Sequence, residues 1–267
     1  MSDFLQTMAT LSAERAAAAP APSVSNATPV VPLLLGTFDV IAEIKDRSPA
    51  EGDLAPANSD RIAQARHYAA GGAAAISVLT EPSRFAGSLQ HLEEVVAAVP
   101  GTPVMRKDFL VEPAQVVEAR GAGASGVLLI ATMLDDAKLG DMLECAFEHE
   151  MFVLLETFDA GDLARVAKLL EYPMHQERAQ RGQFLVGVNS RDLRTLEVNA
   201  DRLEQLAAQL PNAKCVAESG LHSASDVATV ASHGYHVALV GTALMRSTDP
   251  ESLVAEMRAA GSARIAA

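Results

Sequence analysis

The chain is short of cysteine, has no tryptophan, few aromatics and no apolar run long enough to span a bilayer. Each shortage excludes something. Two cysteines, Cys145 and Cys215, cannot staple a disulfide-dense secreted fold, and neither has a metal-type neighbour. Both read as buried free thiols, a usage that fits a reducing cytoplasm. His233 and His236 share a short segment, but no acidic or Cys partner completes a zinc spacing, so no metal is expected. Positive charge is also scarce. With 21 Lys and Arg against 34 Asp and Glu, the net charge is -13, which argues against nucleic acid or an anionic membrane as a partner. No basic region followed by an apolar run opens the chain, so no signal peptide is expected. There is no Ser-His-Asp or G-x-S-x-G arrangement and no G-x-G-x-x-G after the first strand.

What remains is aliphatic. Apolar residues make up 49% of the 267, mostly Ala, Val and Leu, which favours helices packed on buried strands. Residues from Ser2 to about Ala18 read as an amphipathic helix with Phe4, Leu5, Met8 and Leu11 on one face. An Ala/Pro/Ser-rich connector follows, from Ala19 to Pro32, so 1–37 is expected to precede a catalytic domain at 38–267. From Phe38 onward, β-type runs alternate with amphipathic helices at intervals of about 30 residues, the size of one strand–helix unit. The runs are Val40–Ile44, Ala74–Leu79, Pro103–Arg106, Gly126–Ala131, Phe152–Leu155, Phe184–Val188, Lys214–Ala217 and His236–Val240. Eight such units predict a (β/α)8 TIM barrel with an N-terminal helical extension; a doubly wound open sheet is the runner-up. One segment is out of pattern. Glu171 to Gln183 is long and polar for a connection, and reads as a solvent-exposed excursion or a subunit contact at the N-terminal face of the strands.

The strand ends carry the chemistry. Strand one closes on Glu43 and Lys45, strand three on Lys107 and strand five on Glu156. Strand six closes on Asn189, with Arg191 two residues on, and strand seven on Glu218 and Ser219. One ion pair at a strand end is as readily structural as functional. In a barrel, however, these ends converge on one mouth, and so many polar ends in one place point to a site. Glu218-Ser219-Gly220 and Val240-Gly241-Thr242 each put a Gly and a hydroxyl after a strand, in the two loops that usually cradle phosphate in this fold.

These residues lie in linked motifs: AEIKDRSP at 42–49, ISVLTEPSRFAGS at 76–88, MRKDF at 105–109, LLET at 154–157, GVNSRDLRTLEVN at 187–199, AESGL at 217–221 and LVGTALMR at 239–246. From about Phe38 to Arg246 the chain closely resembles the indole-3-glycerol-phosphate synthase family. The resemblance implies the substrate 1-(2-carboxyphenylamino)-1-deoxyribulose 5-phosphate, the products indole-3-glycerol phosphate, CO₂ and water, and no cofactor. It makes Lys107 the general acid on the substrate's ketone oxygen, Glu156 the acid/base beside it, and Lys45 with Glu43 the pair that assists ring closure and loss of water. Asn189 orients substrate or supports Glu156. Arg191, Glu218, Ser219 and Phe109 are implied substrate contacts, and Ser48, Gly220, Gly241 and Thr242 are implied to hold the phosphate.

A lysine donates near neutral pH if burial or neighbours lower its pKa, which is the expectation for Lys107. The chain departs from the family after Ser48-Pro49, where Ala50-Glu51-Gly52 replaces a common Ser-Lys-Gly. Asp46 stands where a basic residue is common, and Phe158 replaces a frequent His. Two other readings stand beside the lyase. One is the preceding phosphosugar isomerase, which needs a Cys at a strand end that this chain lacks. The other is a non-catalytic phosphosugar-binding barrel or partner subunit, which intact Lys45, Lys107 and Glu156 disfavour. A small-molecule substrate, a cytoplasmic location and a monomer or homodimer complete the expectation.

Overall fold

Eight parallel strands close on themselves, running around the ring in chain order until the last meets the first. The computed structural model describes residues 3–25, 27–49, 52–54, 60–192, 197–199 and 201–265. Ser2, Ala50, Glu51 and residues 193–196 of the 187–199 motif, on which sequence expectations fell, lie outside the described residues.

The chain begins with α1 (Asp3–Ala18), then β1 (Asp39–Ile44) and a small antiparallel hairpin, β2 (Arg47–Ser48) with β3 (Gly52–Asp53). Next come α2 (Arg61–Ala70), β4 (Ala75–Leu79), the short α3 (Pro82–Phe85) and α4 (Leu89–Ala98). β5 (Val104–Lys107), α5 (Pro113–Gly121), β6 (Gly126–Ile130) and α6 (Asp136–Glu148) complete the first half. The second half holds β7 (Phe152–Thr157), α7 (Ala160–Leu169), α8 (Pro173–Gln180), β8 (Phe184–Asn189) and α9 (Arg202–Leu206). It ends with β9 (Lys214–Glu218), α10 (Ala224–Ser232), β10 (Val237–Val240), α11 (Thr242–Arg246) and α12 (Pro250–Ile265).

All eight expected strands form, but four run further than the apolar pattern suggested, to Lys107, Thr157, Asn189 and Glu218. The reason is local. The backbone ladder continues through the polar residue, which the pleat then aims at the barrel axis rather than at solvent. Helix starts are set by side chains: Asp60, Ser88, Asp135 and Asp159 each accept from backbone N–H groups in the first turn that follows.

The core lies inside the ring and between ring and helices, and α1 belongs to it through Leu5 and Met8. The polar segment 171–183 is not a simple excursion. It contains α8, which starts with Pro173 at its first turn and buries Ala179. His175 packs between Phe147, Phe184 and Tyr172, and the Arg178 guanidinium lies 5.3 Å from the Phe147 ring centroid. Cys215 is buried, and desolvation pushes its thiol up to about 12. Cys145 is only half-buried, against expectation, because it lies beside rather than within the buried stripe Leu139, Met142, Leu143, Ala146 and Phe147 of α6. Among the described residues no helix is long and apolar enough to cross a membrane.

Candidate active site

Strand register decides which side chains share the mouth. Leu79 pairs with Lys107, Ile130 with Glu156, and Asn189 with Glu218. Together with Glu43 from β1, they line a cavity of about 650 Å³, large enough for a drug-sized ligand. All thirteen residues expected at the site come to this cavity or its wall. Glu43, Lys45, Ser48, Lys107, Phe109, Glu156, Asn189 and Arg191 line it, as do Glu218, Ser219, Gly220, Gly241 and Thr242.

Lys107 is the centre. Its Nζ lies 3.3 Å from Glu156 Oε2, 3.3 Å from Glu218 Oε2 and 3.9 Å from Glu43 Oε2. Lys45 Nζ meets the other oxygen of Glu43 at 2.8 Å. Burial pulls the Lys107 ammonium down, but the Glu156, Glu218 and Glu43 carboxylates outweigh it and hold it above the ordinary lysine range. The lowering expected from sequence is therefore not found, because three strands bring negative charge to one amine. Glu43 is pushed up by burial, but Lys45 and Lys107 prevail and hold it below the usual carboxylate range. Glu218 goes the other way. Burial and the adjacent Glu156 carboxylate drive it well up, against the pull of Lys107. Its Oε1 faces no hydrogen-bond donor among the described residues.

Two glycines make room for these groups. A Cβ at Gly187 would fall on Glu218 Oε1, and one at Gly241 on Glu43 Oε1, with Lys45 Nζ 3.1 Å away. Gly241, expected only as a phosphate contact, is thus also the space in which the Glu43–Lys45 pair sits.

The remaining polar positions are held by the β8 and β9 loops. Asn189 Oδ1 accepts from the Arg191 N–H at 2.9 Å and from Ser219 Oγ at 2.8 Å, which fixes the plane of its amide at the cavity wall. Ser219 and Gly220 both adopt positive φ, 68° and 74°, so the chain turns sharply just beyond Glu218. Ser48, Gly220, Gly241 and Thr242 sit at the rim of the same cavity. Asp46 turns away from it, to Arg61 Nη2 at 2.6 Å and His91 Nδ1 at 3.8 Å.

Sequence reasoning missed an aromatic wall. Phe4 of α1 and Phe85 of α3 line the cavity beside Phe109, with ring centroids 5.8 and 6.1 Å from it. The available signal was scarcity, since the chain has eight phenylalanines and three of them meet here.

An ammonium set among carboxylates, an aromatic wall and a glycine-lined rim at the C-terminal mouth place the chain among the TIM-barrel enzymes. A family model described as indole-3-glycerol phosphate synthase matches residues 7–257, and the chain belongs to that family, the carboxy-lyases of tryptophan biosynthesis. The match reaches beyond the motif-bearing stretch into α1. Relatives described as indole-3-glycerol phosphate synthase include one from Nocardioides sp., 47% identical over 219 residues (82% of this chain, 79% of that one). Another, from Paenarthrobacter aurescens, is 40% identical over 264 residues, 98% of this chain and 92% of that one. Among solved structures, 3-hexulose-6-phosphate synthase from Salmonella typhimurium superposes with a TM-score of 0.63 at 14% identity, over 85% of this chain and 100% of that one. Thiamine phosphate pyrophosphorylase from Pyrococcus furiosus gives 0.58 at 15% identity, over 85% and 96%. At such identities the likeness is to the barrel alone.

Proposed function

We propose that this mouth closes the indole ring of 1-(2-carboxyphenylamino)-1-deoxyribulose 5-phosphate with Lys107 as general acid. The observation that carries this reading is the placement of Lys107 Nζ between Glu156 and Glu218, at the floor of a cavity with an aromatic wall. The ring carbon bearing the carboxylate attacks the ketone carbon, and the π electrons of the ketone move to its oxygen. That oxygen becomes an alkoxide, whose conjugate acid lies near water's value of about 15.7, so even a lysine of raised pKa can protonate it. CO₂ then leaves, and the electrons of its bond to the ring restore aromaticity. Lys45, held against Glu43, protonates the departing hydroxyl as water, and Glu156 takes a proton from the CH₂ beside the nitrogen to complete the indole.

Asn189 and Arg191 orient the substrate. Phe109 stacks on its ring, Glu218 and Ser219 contact its polar atoms, and Ser48, Gly220, Gly241 and Thr242 hold the phosphate at the rim. Residues 38–267 carry the reaction, and the preceding segment 1–37 contributes Phe4 of α1 to one side of its mouth. The enzyme works in the cytoplasm on a small molecule, without nucleic acid, as a monomer or homodimer, since one chain supplies every residue named. In a test, purified protein is incubated with the carboxyphenylamino-deoxyribulose phosphate and a chelator while indole fluorescence is followed. The expected result is a rising signal whose kcat falls by about 10²–10⁴-fold in Lys107→Ala. Undiminished turnover in that variant would remove Lys107 from its role.

A further inference from the structure

The three rings of the aromatic wall come from three separate elements: Phe4 from α1, Phe85 from α3 and Phe109 from the segment after β5. Two buried carboxylates set the backbone beneath two of them. Glu81, fully buried, accepts from the N–H groups of Ser83, Arg84 and Phe85 at 2.9, 2.7 and 3.2 Å, and so fixes the turn that presents Phe85. Asp108, 2% exposed, accepts from the Phe109 N–H at 2.8 Å and from Thr80 Oγ1 at 2.8 Å. A cation beside a buried carboxylate offsets part of its desolvation. Arg106 Nη2 donates to Asp108 Oδ2 at 3.4 Å, while its Nη1 serves Glu118 at 2.6 Å and the Gln115 carbonyl at 3.0 Å.

The side chain that reaches both acids comes from α1. Arg15 Nη2 is 2.6 Å from Asp108 Oδ1, and its Nη1 is 3.5 Å from Glu81 Oε1. One planar fork therefore joins the helix carrying Phe4 to the carboxylates that orient Phe85 and Phe109. Arg15 lies outside the cavity that would hold substrate.

We propose that Arg15 is a positioning residue that sets the aromatic wall, and through it the affinity for the substrate's anthranilate ring rather than the rate of the acid–base steps. The inference rests on the function proposed above only for the identity of the full substrate; ring binding is tested without turnover. The probe is anthranilate itself, titrated by its fluorescence into the wild type and into Arg15→Ala, Arg15→Lys and Ser12→Ala. Ser12 ties α1 to the barrel elsewhere, through Gln115 Nε2 at 2.9 Å, and serves as the control for general loosening of the helix.

Arg15→Ala is expected to weaken anthranilate by about tenfold and to raise KM by a similar factor, with kcat within about threefold. Inhibition by inorganic phosphate should stay unchanged. Arg15→Lys should recover part of the loss, and Ser12→Ala should bind as the wild type does. Unchanged anthranilate binding in folded Arg15→Ala overturns the proposal. So does an equal loss in Ser12→Ala, or a parallel weakening of phosphate, since either marks a general disturbance of the mouth. If the wild type binds anthranilate but never turns over the substrate, the proposed function fails while the role of Arg15 is judged on binding alone.

Discussion

One strand, β1, carries an acid at each end, and the two live differently. At the bottom, Asp39 is saturated: Oδ1 accepts from Arg258 Nε at 3.0 Å and Nη2 at 2.9 Å, and Oδ2 from the Gly36 N–H at 2.5 Å. At the top, Glu43 has one close partner, Lys45, while its second oxygen looks across 3.9 Å of cavity toward Lys107. Both acids are nearly fully buried. Burial therefore does not distinguish structure from chemistry here; unspent hydrogen-bonding capacity does. An acid whose lone pairs are all engaged holds the fold, and one left short can engage a substrate.

The sharpest way to break that comparison is to neutralise each acid in turn. Glu43→Gln is expected to lower kcat by about 100-fold while leaving melting nearly unchanged. Asp39→Asn should do the reverse, costing about 2 kcal/mol, a melting shift of about 4–8 °C, with turnover at 25 °C within about twofold. Equal losses of activity in the two variants would dissolve the distinction. Paired thermal melts and initial rates decide it.

A smaller effect is expected at Glu218, whose folded pKa is raised. Below the ordinary carboxylate value the proton is on in both folded and unfolded chains. As pH rises, the unfolded chain ionises first, so stability falls toward the raised folded value. Glu218→Gln removes that penalty. Its melting temperature should exceed the wild type's by about 2–4 °C at neutral pH and match it near pH 4, as calorimetry at the two values would show. A loss of stability at neutral pH would mean that Lys107 needs the Glu218 charge more than the fold suffers from it.

The smallest expected effect is an absence of change. Lys107 has a raised folded pKa, so its proton is present throughout the neutral range and leaves only above the ordinary lysine value of about 10.4. The kcat/KM profile should carry no basic limb from Lys107 below that value. A limb near pH 8 that vanishes in Lys107→Arg would show that substrate meets a lysine already depleted of charge.

Much of this was legible in the sequence because barrel strands obey a period of two. Once Glu43, Lys107, Glu156, Asn189 and Glu218 are seen to close apolar runs, the fold brings them together without further information. The aromatic wall was not legible. Phe4 reaches the mouth only because α1 docks there, and that docking joins Arg15 to Glu81 and to Asp108, the latter 93 residues further along the chain. The direction of the Lys107 shift was missed for a related reason. A lone lysine in an apolar strand loses its charge, whereas this one is met by acids from β1, β7 and β9. α8 was hidden by its composition, since a polar stretch with one buried alanine shows no helical stripe.

The ring closes where Asp39 to Ala42 of β1 pair with Val237 to Val240 of β10. Gly241, which leaves space for the Glu43–Lys45 pair, follows directly after that final strand. During synthesis, then, β1 leaves the ribosome long before its neighbour exists, and waits with one edge unpaired and the apolar face of Val40, Ala42 and Ile44 uncovered. The last ion pair of the mouth to acquire its full surroundings belongs to the first strand made. Nascent chains short of β10 are thus expected to be inactive and prone to self-association, whatever share of the mouth's residues they already contain.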